Sequence, residues 1–275
     1  MDTKHRFQKI LAIFLLLFIP AFIIANYSML RSKRDLSCDI YNSFISEASY
    51  LTEKMFVVVL YSPCDFKGCE QSLTSILRQE YDKYRIVILH EGMKEEERDK
   101  IKHLAAKQNK AHLLTIISPK DALVNIHTFR EVIEECKDDE IIVQLECSDW
   151  LAHEHVLEKL NQVYSSNSEI WLTYAQYMEY PSYKKGTSQP YAKRLLRDRY
   201  SKKTPWISSH LKTYYARVFK QLKQQNTPLY DLSLLRDNLN PYMLPMVDLS
   251  KNHIRFIEDV LFVQQSPPIS SLNKS

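Results

Sequence analysis

Residues 138–151 read DDEIIVQLECSDWL, and this stretch decides the fold. Ile141, Ile142, Val143 and Leu145 form a short apolar run behind an acidic turn, the pattern of a buried strand. At its end Glu146, Cys147, Ser148, Asp149 and Trp150 bring together side chains suited to hold a metal-bound phosphate. In open α/β sheets the ligand crevice lies at such carboxyl ends of strands.

Working outward, the chain alternates strand and helix from Met55 onward. Residues 56–61 (FVVVLY) are β-branched and aromatic and stop at Ser62-Pro63, which predicts a buried strand ending in a loop. Leu73, Ile76 and Leu77 then recur at helical spacing. A second strand is predicted over 85–89, followed by a charged helix from Lys94 with Ile101, Leu104 and Ala105 on its inward stripe. A third strand covers 112–117, and Ser118-Pro119 opens a helix that runs to Cys136. Residues 170–174 form a fifth strand. This order predicts an α/β domain with a mostly parallel sheet flanked by helices. Beyond Pro181 the pattern loosens. Residues 208–222 read as one helix with Leu211, Tyr215, Val218 and Phe219 on a stripe, and 254–257 with 260–263 as a last pair of short strands.

Residues 10–25 are apolar apart from Pro20 and follow Lys4, Arg6 and Lys9. This run is shorter than the about 20 residues a bilayer span needs, although residues 26–30 extend it to that length. Two alternatives stand: a single-pass N-terminal anchor, or a signal peptide cleaved after Ala25 with export of the rest. The expected organisation is an anchor or signal with basic flanks over 1–34, a linker over 35–54, one domain over 55–265 and a flexible tail over 266–275. Lys and Arg number 37 against 33 Asp and Glu, but six of the basic residues fall in 1–34 beside a single acid, so the remainder is nearly neutral. Nucleic acid is therefore not an expected partner. Within that remainder, 181–223 carries twelve Lys or Arg against Asp198 alone, a composition that suits phosphate or an anionic membrane surface. The five cysteines show no CxxC spacing and no zinc pattern, though Cys64 and Cys69 are near enough to pair in a secreted chain. With three glycines, Gly68, Gly92 and Gly186, there is no Gly-rich phosphate loop.

Several segments together resemble the bacterial glycosyltransferases of family 2, which have the GT-A fold. Residues 57–64 (VVVLYSPC) are similar to the family's first strand and Ser-Tyr-Asn opening, with Pro63 and Cys64 in place of the last two. Residues 72–81 (SLTSILRQEY) resemble its Leu-x-Ser-Ile-x-Gln-Thr-Tyr. Residues 86–93 (IVILHEGM) occupy the place of a strand and Asp-Asp-Gly-Ser that grip base and ribose, and Glu91 is the acid left there. The segment 139–151 matches the strand that ends in Asp-x-Asp-Asp-Trp, in degenerate form, with Glu146 for the first Asp and Ser148 for the second. Residues 171–174 and 209–213 are similar to acceptor-side segments.

The resemblance implies a membrane-associated sugar transferase acting on a nucleotide-diphosphate sugar and a cell-envelope glycan or lipid acceptor. It implies nucleotide contacts at Ser62, Glu91 and Glu146, acceptor or diphosphate contacts at His210 and Lys212, and a base displaced to Asp237. It also implies Mg²⁺ or Mn²⁺ held by Glu146, Ser148 and Asp149, weakened or lost because a seryl oxygen replaces a carboxylate. Changes concentrated at these positions, in an intact apolar framework, equally suit a catalytically weak or inactive GT-A domain that serves as a binding or scaffolding module.

Overall fold

The computed structural model describes residues 52–62, 66–90, 92–118, 126–190, 211–222 and 243–265. The apolar N-terminal segment, the greater part of the linker, the C-terminal tail, Glu91, His210 and Asp237 lie outside them. Among the described residues no helix is long and apolar enough to cross a membrane.

Eight strands make one sheet: β1 (Phe56–Ser62), β2 (Tyr84–His90), β3 (Leu114–Ile117), β4 (Ile141–Glu146), β5 (Trp150–Leu151), β6 (Leu172–Tyr180), β7 (Lys212–Tyr215) and β8 (Ile254–Gln265). Their order across the sheet is β3-β2-β1-β4-β7-β6-β8-β5. The helices are α1 (Phe66–Leu77), α2 (Glu95–Lys107), α3 (Ile126–Glu135), α4 (Val156–Ser166), α5 (Ala216–Gln221) and α6 (Met243–Ser250).

Among the described residues the sheet is mixed, with four of its seven pairings parallel. β3, β2, β1 and β4 run parallel, whereas β7 is antiparallel to both β4 and β6, and β5 is antiparallel to β8. The parallel part is apolar on both faces because helices cover both: residues Phe56 through Leu60 are fully buried, as are Ile141, Ile142, Val143 and Leu145. On one face the Tyr84 hydroxyl donates to the Ile76 carbonyl of α1, and the Tyr164 hydroxyl of α4 meets Thr213 Oγ1 at 2.8 Å. On the other, Phe129 of α3 packs edge-on against Phe219 of α5, and Arg85 bridges to Glu140 and the Cys136 sulfur. Burial raises the Cys136 thiol pKa to about 11.

Two local readings are corrected. The single helix expected over 208–222 is a strand followed by a short helix, with Lys212 through Tyr215 inserted between β4 and β6 where all four are buried. The two short strands expected near the C-terminus are one strand, β8, paired in parallel with β6 through a register shift. The exposed pair Glu258 and Asp259 sits at that irregularity, and Asp259 forms an ion pair with Lys159 at 2.9 Å. A charged pair inside an apolar run marks a bulge here rather than a turn. Cys69, Cys136 and Cys147 are buried, and Cys64 lies outside the described residues.

Candidate active site at the strand ends

β1 lies between β2 and β4, so the three strands end side by side. Ser62 is in register with His90, and Tyr61 with both Leu89 and Glu146. The strand ends expected to converge therefore do so, at the carboxyl edge where an α/β sheet places its ligands. Just past β2, Gly92 takes a φ of 57°, a backbone conformation that a side chain disfavours. The Met93 N–H then donates to Ser118 Oγ at 3.0 Å, which folds the exit of β2 against the end of β3.

His90 is 5% exposed, and neither ring nitrogen has a hydrogen-bond partner among the described residues. Burying an imidazole without partners costs free energy that a ligand group can recover. Sequence reading passed over His90, although it stands at the first acidic position of the Asp-Asp-Gly-Ser resemblance.

The loop after β4 is held by α1. The Ser72 hydroxyl contacts the carbonyls of Cys147 and Asp149, and Ser75 Oγ accepts from the Leu151 N–H at 3.0 Å. One turn further, Gln79 Nε2 donates to the His153 carbonyl at 2.7 Å while its Oε1 accepts from the Leu157 N–H at 3.0 Å. Ser72 and Ser75 thus share one face of α1 at i, i+3 spacing, and with Gln79 just past the helix end they fix the β4–β5 connection and the start of α4. The spacing was visible in SLTSILRQEY; the partner loop was not. Helix α4 begins at Val156, and no side-chain hydrogen bond caps it.

Of the two carboxylates, Glu146 is half-buried at the strand end, and Asp149 is fully buried with Oδ1 accepting from the Gln265 N–H at 3.1 Å. Ser148 is half-buried between them in the turn that the Asp149 N–H closes on the Glu146 carbonyl at 3.0 Å. Lys212 enters from β7 directly opposite Gln144, and Glu146 lies two residues along the same strand face. Lys212 is 2% exposed. Burial pulls its ammonium pKa down to about 8, against the opposing pull of Glu146 and Asp149. The buried charge and the two carboxylates therefore form one electrostatic cluster.

A divalent cation of the Mg²⁺ or Mn²⁺ type needs several hard oxygens around it. Here Ser148 is neutral, one oxygen of Asp149 is engaged with backbone, and an ammonium shares the cluster. Among the described residues no group of three or more His, Cys, Asp or Glu could hold a metal ion. The donor set does not fit such an ion. Trp150, a side chain that suits a core beneath the site, is instead half-buried on β5, edge-on to Tyr180 at 5.4 Å. It lines a groove of about 640 Å³ with Arg78, Thr74 and His153.

Similar solved structures fit this arrangement. The first 349 residues of TarS from S. aureus align with a TM-score of 0.56 and 13% identity, covering 78% of this chain and 61% of TarS 1–349. The fold is GT-A. A mannosyltransferase from Pyrobaculum calidifontis, solved with GDP-Man and Mn²⁺, gives 0.53 at 13% identity over 84% of this chain and 65% of that one. GalNAc-T7, solved with UDP, GalNAc and Mn²⁺, gives 0.52 at 14% identity over 81% and 46%. TarS 1–349 has also been solved with UDP-GlcNAc. The chain thus spans less than two thirds of each of these proteins. No protein-family profile matches it, and no curated protein matches it in sequence.

Proposed function

We propose that this chain is a membrane-associated glycosyltransferase-like protein that takes a nucleotide-diphosphate sugar at the ends of β1, β2 and β4 and passes the sugar to a cell-envelope glycan or lipid. The observation that carries this reading is the meeting of the ends of β1, β2 and β4 at one edge of a GT-A sheet, Ser62 in register with His90 and Tyr61 with Glu146, with the buried imidazole lacking a partner among the described residues. Membrane association rests on the apolar residues 10–30 and on the basic stretch 181–223.

In this reading base and ribose lie against Ser62, His90 and Glu91, and Glu146 meets the ribose or diphosphate edge. His210 and Lys212 neutralise the diphosphate as the bond from its oxygen to the sugar's anomeric carbon breaks. The acceptor hydroxyl forms the new bond to that carbon and gives its proton to a carboxylate, for which Asp237 is the candidate. A Mg²⁺ or Mn²⁺ contribution is weak or lost, given the donor set around Glu146.

A second reading is favoured by one feature. Asp149 is spent on the Gln265 backbone and on the charge cluster, which leaves fewer groups for chemistry. A domain that binds nucleotide sugar or glycan without turnover would keep the same framework.

Calorimetric titration of the full chain with UDP and with GDP tests the proposal. Binding is expected for at least one of them, and His90→Ala should weaken it about tenfold, the loss of one buried hydrogen bond. Failure of both nucleotides to bind would remove the transferase reading. The binding-module reading would then be pursued with vesicles of anionic lipid and a variant neutralised over 181–223.

A further inference from the structure

The Asp-x-Asp resemblance and the structure disagree about the cation. We infer that the positive charge of this site is built into the chain as the Lys212 ammonium, which neutralises Glu146 and Asp149 from β7 and takes the place of a divalent ion. The nucleotide part of the inference rests on the proposed function; the statement about Glu146, Asp149 and Lys212 does not.

Register is the first argument. Lys212 faces Gln144 across the antiparallel β4–β7 ladder, so Glu146 is its diagonal neighbour on the same face. Diagonal partners in such a ladder are about 7–8 Å apart, within reach of a long side chain. The turn after β4 then folds back, with the Asp149 N–H on the Glu146 carbonyl, and the buried Asp149 carboxylate accepts from the Gln265 N–H. Both carboxylates act on Lys212.

Burial is the second argument. An ammonium at 2% exposure beside a carboxylate at 0% is tolerated when the two compensate each other. An ammonium has donors and no acceptor, so it contributes no metal ligand and repels a divalent ion brought to the same carboxylates. Ser148 completes the logic. With Glu146, Asp149 and a third carboxylate at 148, one lysine would leave two uncompensated negative charges; with serine it leaves one. Ser148 and Lys212 are thus two halves of a single exchange, in which a carboxylate is removed and a fixed cation is supplied.

The experiment measures Mn²⁺ binding to the full chain without nucleotide, by EPR of free Mn²⁺ and by thermal shift, and UDP affinity in EDTA and in Mn²⁺. Wild type should show no Glu146-dependent Mn²⁺ binding, and its UDP affinity should differ by less than about twofold between the two conditions. Lys212→Met should create Mn²⁺ binding at least about tenfold tighter than wild type, and adding Glu146→Gln to it should abolish that gain. Ser148→Asp alone leaves Lys212 in place, so it should gain no more than about threefold; this variant decides the matter if Lys212→Met does not fold. Mn²⁺ binding by wild type that Glu146→Gln removes would overturn the inference, as would a folded Lys212→Met without Mn²⁺ affinity or a large gain from Ser148→Asp alone. Loss of UDP binding in every arm would sink the nucleotide reading and leave the Mn²⁺ results to judge Lys212 by themselves.

Discussion

The two halves of the sheet are built by different rules. β3, β2, β1 and β4 are parallel, each joined to the next in sequence through a helix, with β3, β2 and β1 side by side in reverse chain order and β4 added beyond β1. β7, β6, β8 and β5 bring in the antiparallel pairings beside a long parallel one between β6 and β8, and their spatial order scrambles their chain order. The first half is a nucleotide-binding layout of repeated βαβ units, dry on both faces. The second half holds the pairing across which Lys212 reaches the carboxylates of the first. The site therefore sits on a seam: its framework comes from the parallel strands, and its charge balance comes from the antiparallel β4–β7 pairing.

If the parallel half is the main core, its central strand should be the most sensitive place. Leu60→Ala in β1, at a fully buried position, is expected to cost about 2–5 kcal/mol, read from chemical denaturation. A loss below about 1 kcal/mol would mean that the site can collapse around the void and that β1 is not the centre of packing.

The contrast in construction also explains what the sequence disclosed. Runs such as FVVVLY and EIIVQLE, with Leu73, Ile76 and Leu77 between them, announce a parallel unit because each element carries its own periodicity. Residues 211–219 carry two. Leu211, Tyr215, Val218 and Phe219 fall at helical spacing, yet Lys212 through Tyr215 are all buried in a strand, so no alternation betrays it. A buried lysine in that strand gives a misleading polar signal until its partners on β4 are known. Ser62 and Glu146 were legible as strand-end residues because position alone defines them. The clamp of Ser72, Ser75 and Gln79 and the burial of His90 were not, since each depends on what tertiary structure puts opposite it.

The next effect concerns the device that attaches the loop of the site to the parallel half. Gln79 is 2% exposed and bonded to the Ser75 and His153 carbonyls and the Leu157 N–H. Gln79→Ala leaves buried backbone groups unpaired and should cost about 1–3 kcal/mol in denaturation experiments. Gln79→Glu keeps the acceptor for Leu157 but not the donors, so it should recover only part of the loss. Equal stability of wild type and Gln79→Ala would show that the connection from β4 to α4 is held by packing instead.

The smallest effect tests the seam itself. On the face opposite the charge cluster, the Tyr164 hydroxyl of α4 meets Thr213 of β7, and Thr213 meets Thr173 of β6 at 2.5 Å. This fully buried chain of hydroxyls ties α4, whose Asn161 Oδ1 also accepts from the Lys54 N–H ahead of β1, to β7 and β6, and the tyrosyl proton is held more firmly than usual because burial opposes the phenolate. Tyr164→Phe removes one hydroxyl and leaves Thr213 still bonded to Thr173, so the expected loss is about 0.5–1.5 kcal/mol. Thr213→Val removes the link in the middle and leaves the Tyr164 hydroxyl only Thr173 to bond in a dry site, so it should cost more than Tyr164→Phe. The double variant should cost less than the sum, because the residues share one network. Strict additivity would mean that the hydroxyls act independently, and that the two halves are joined by the β4–β7 ladder alone.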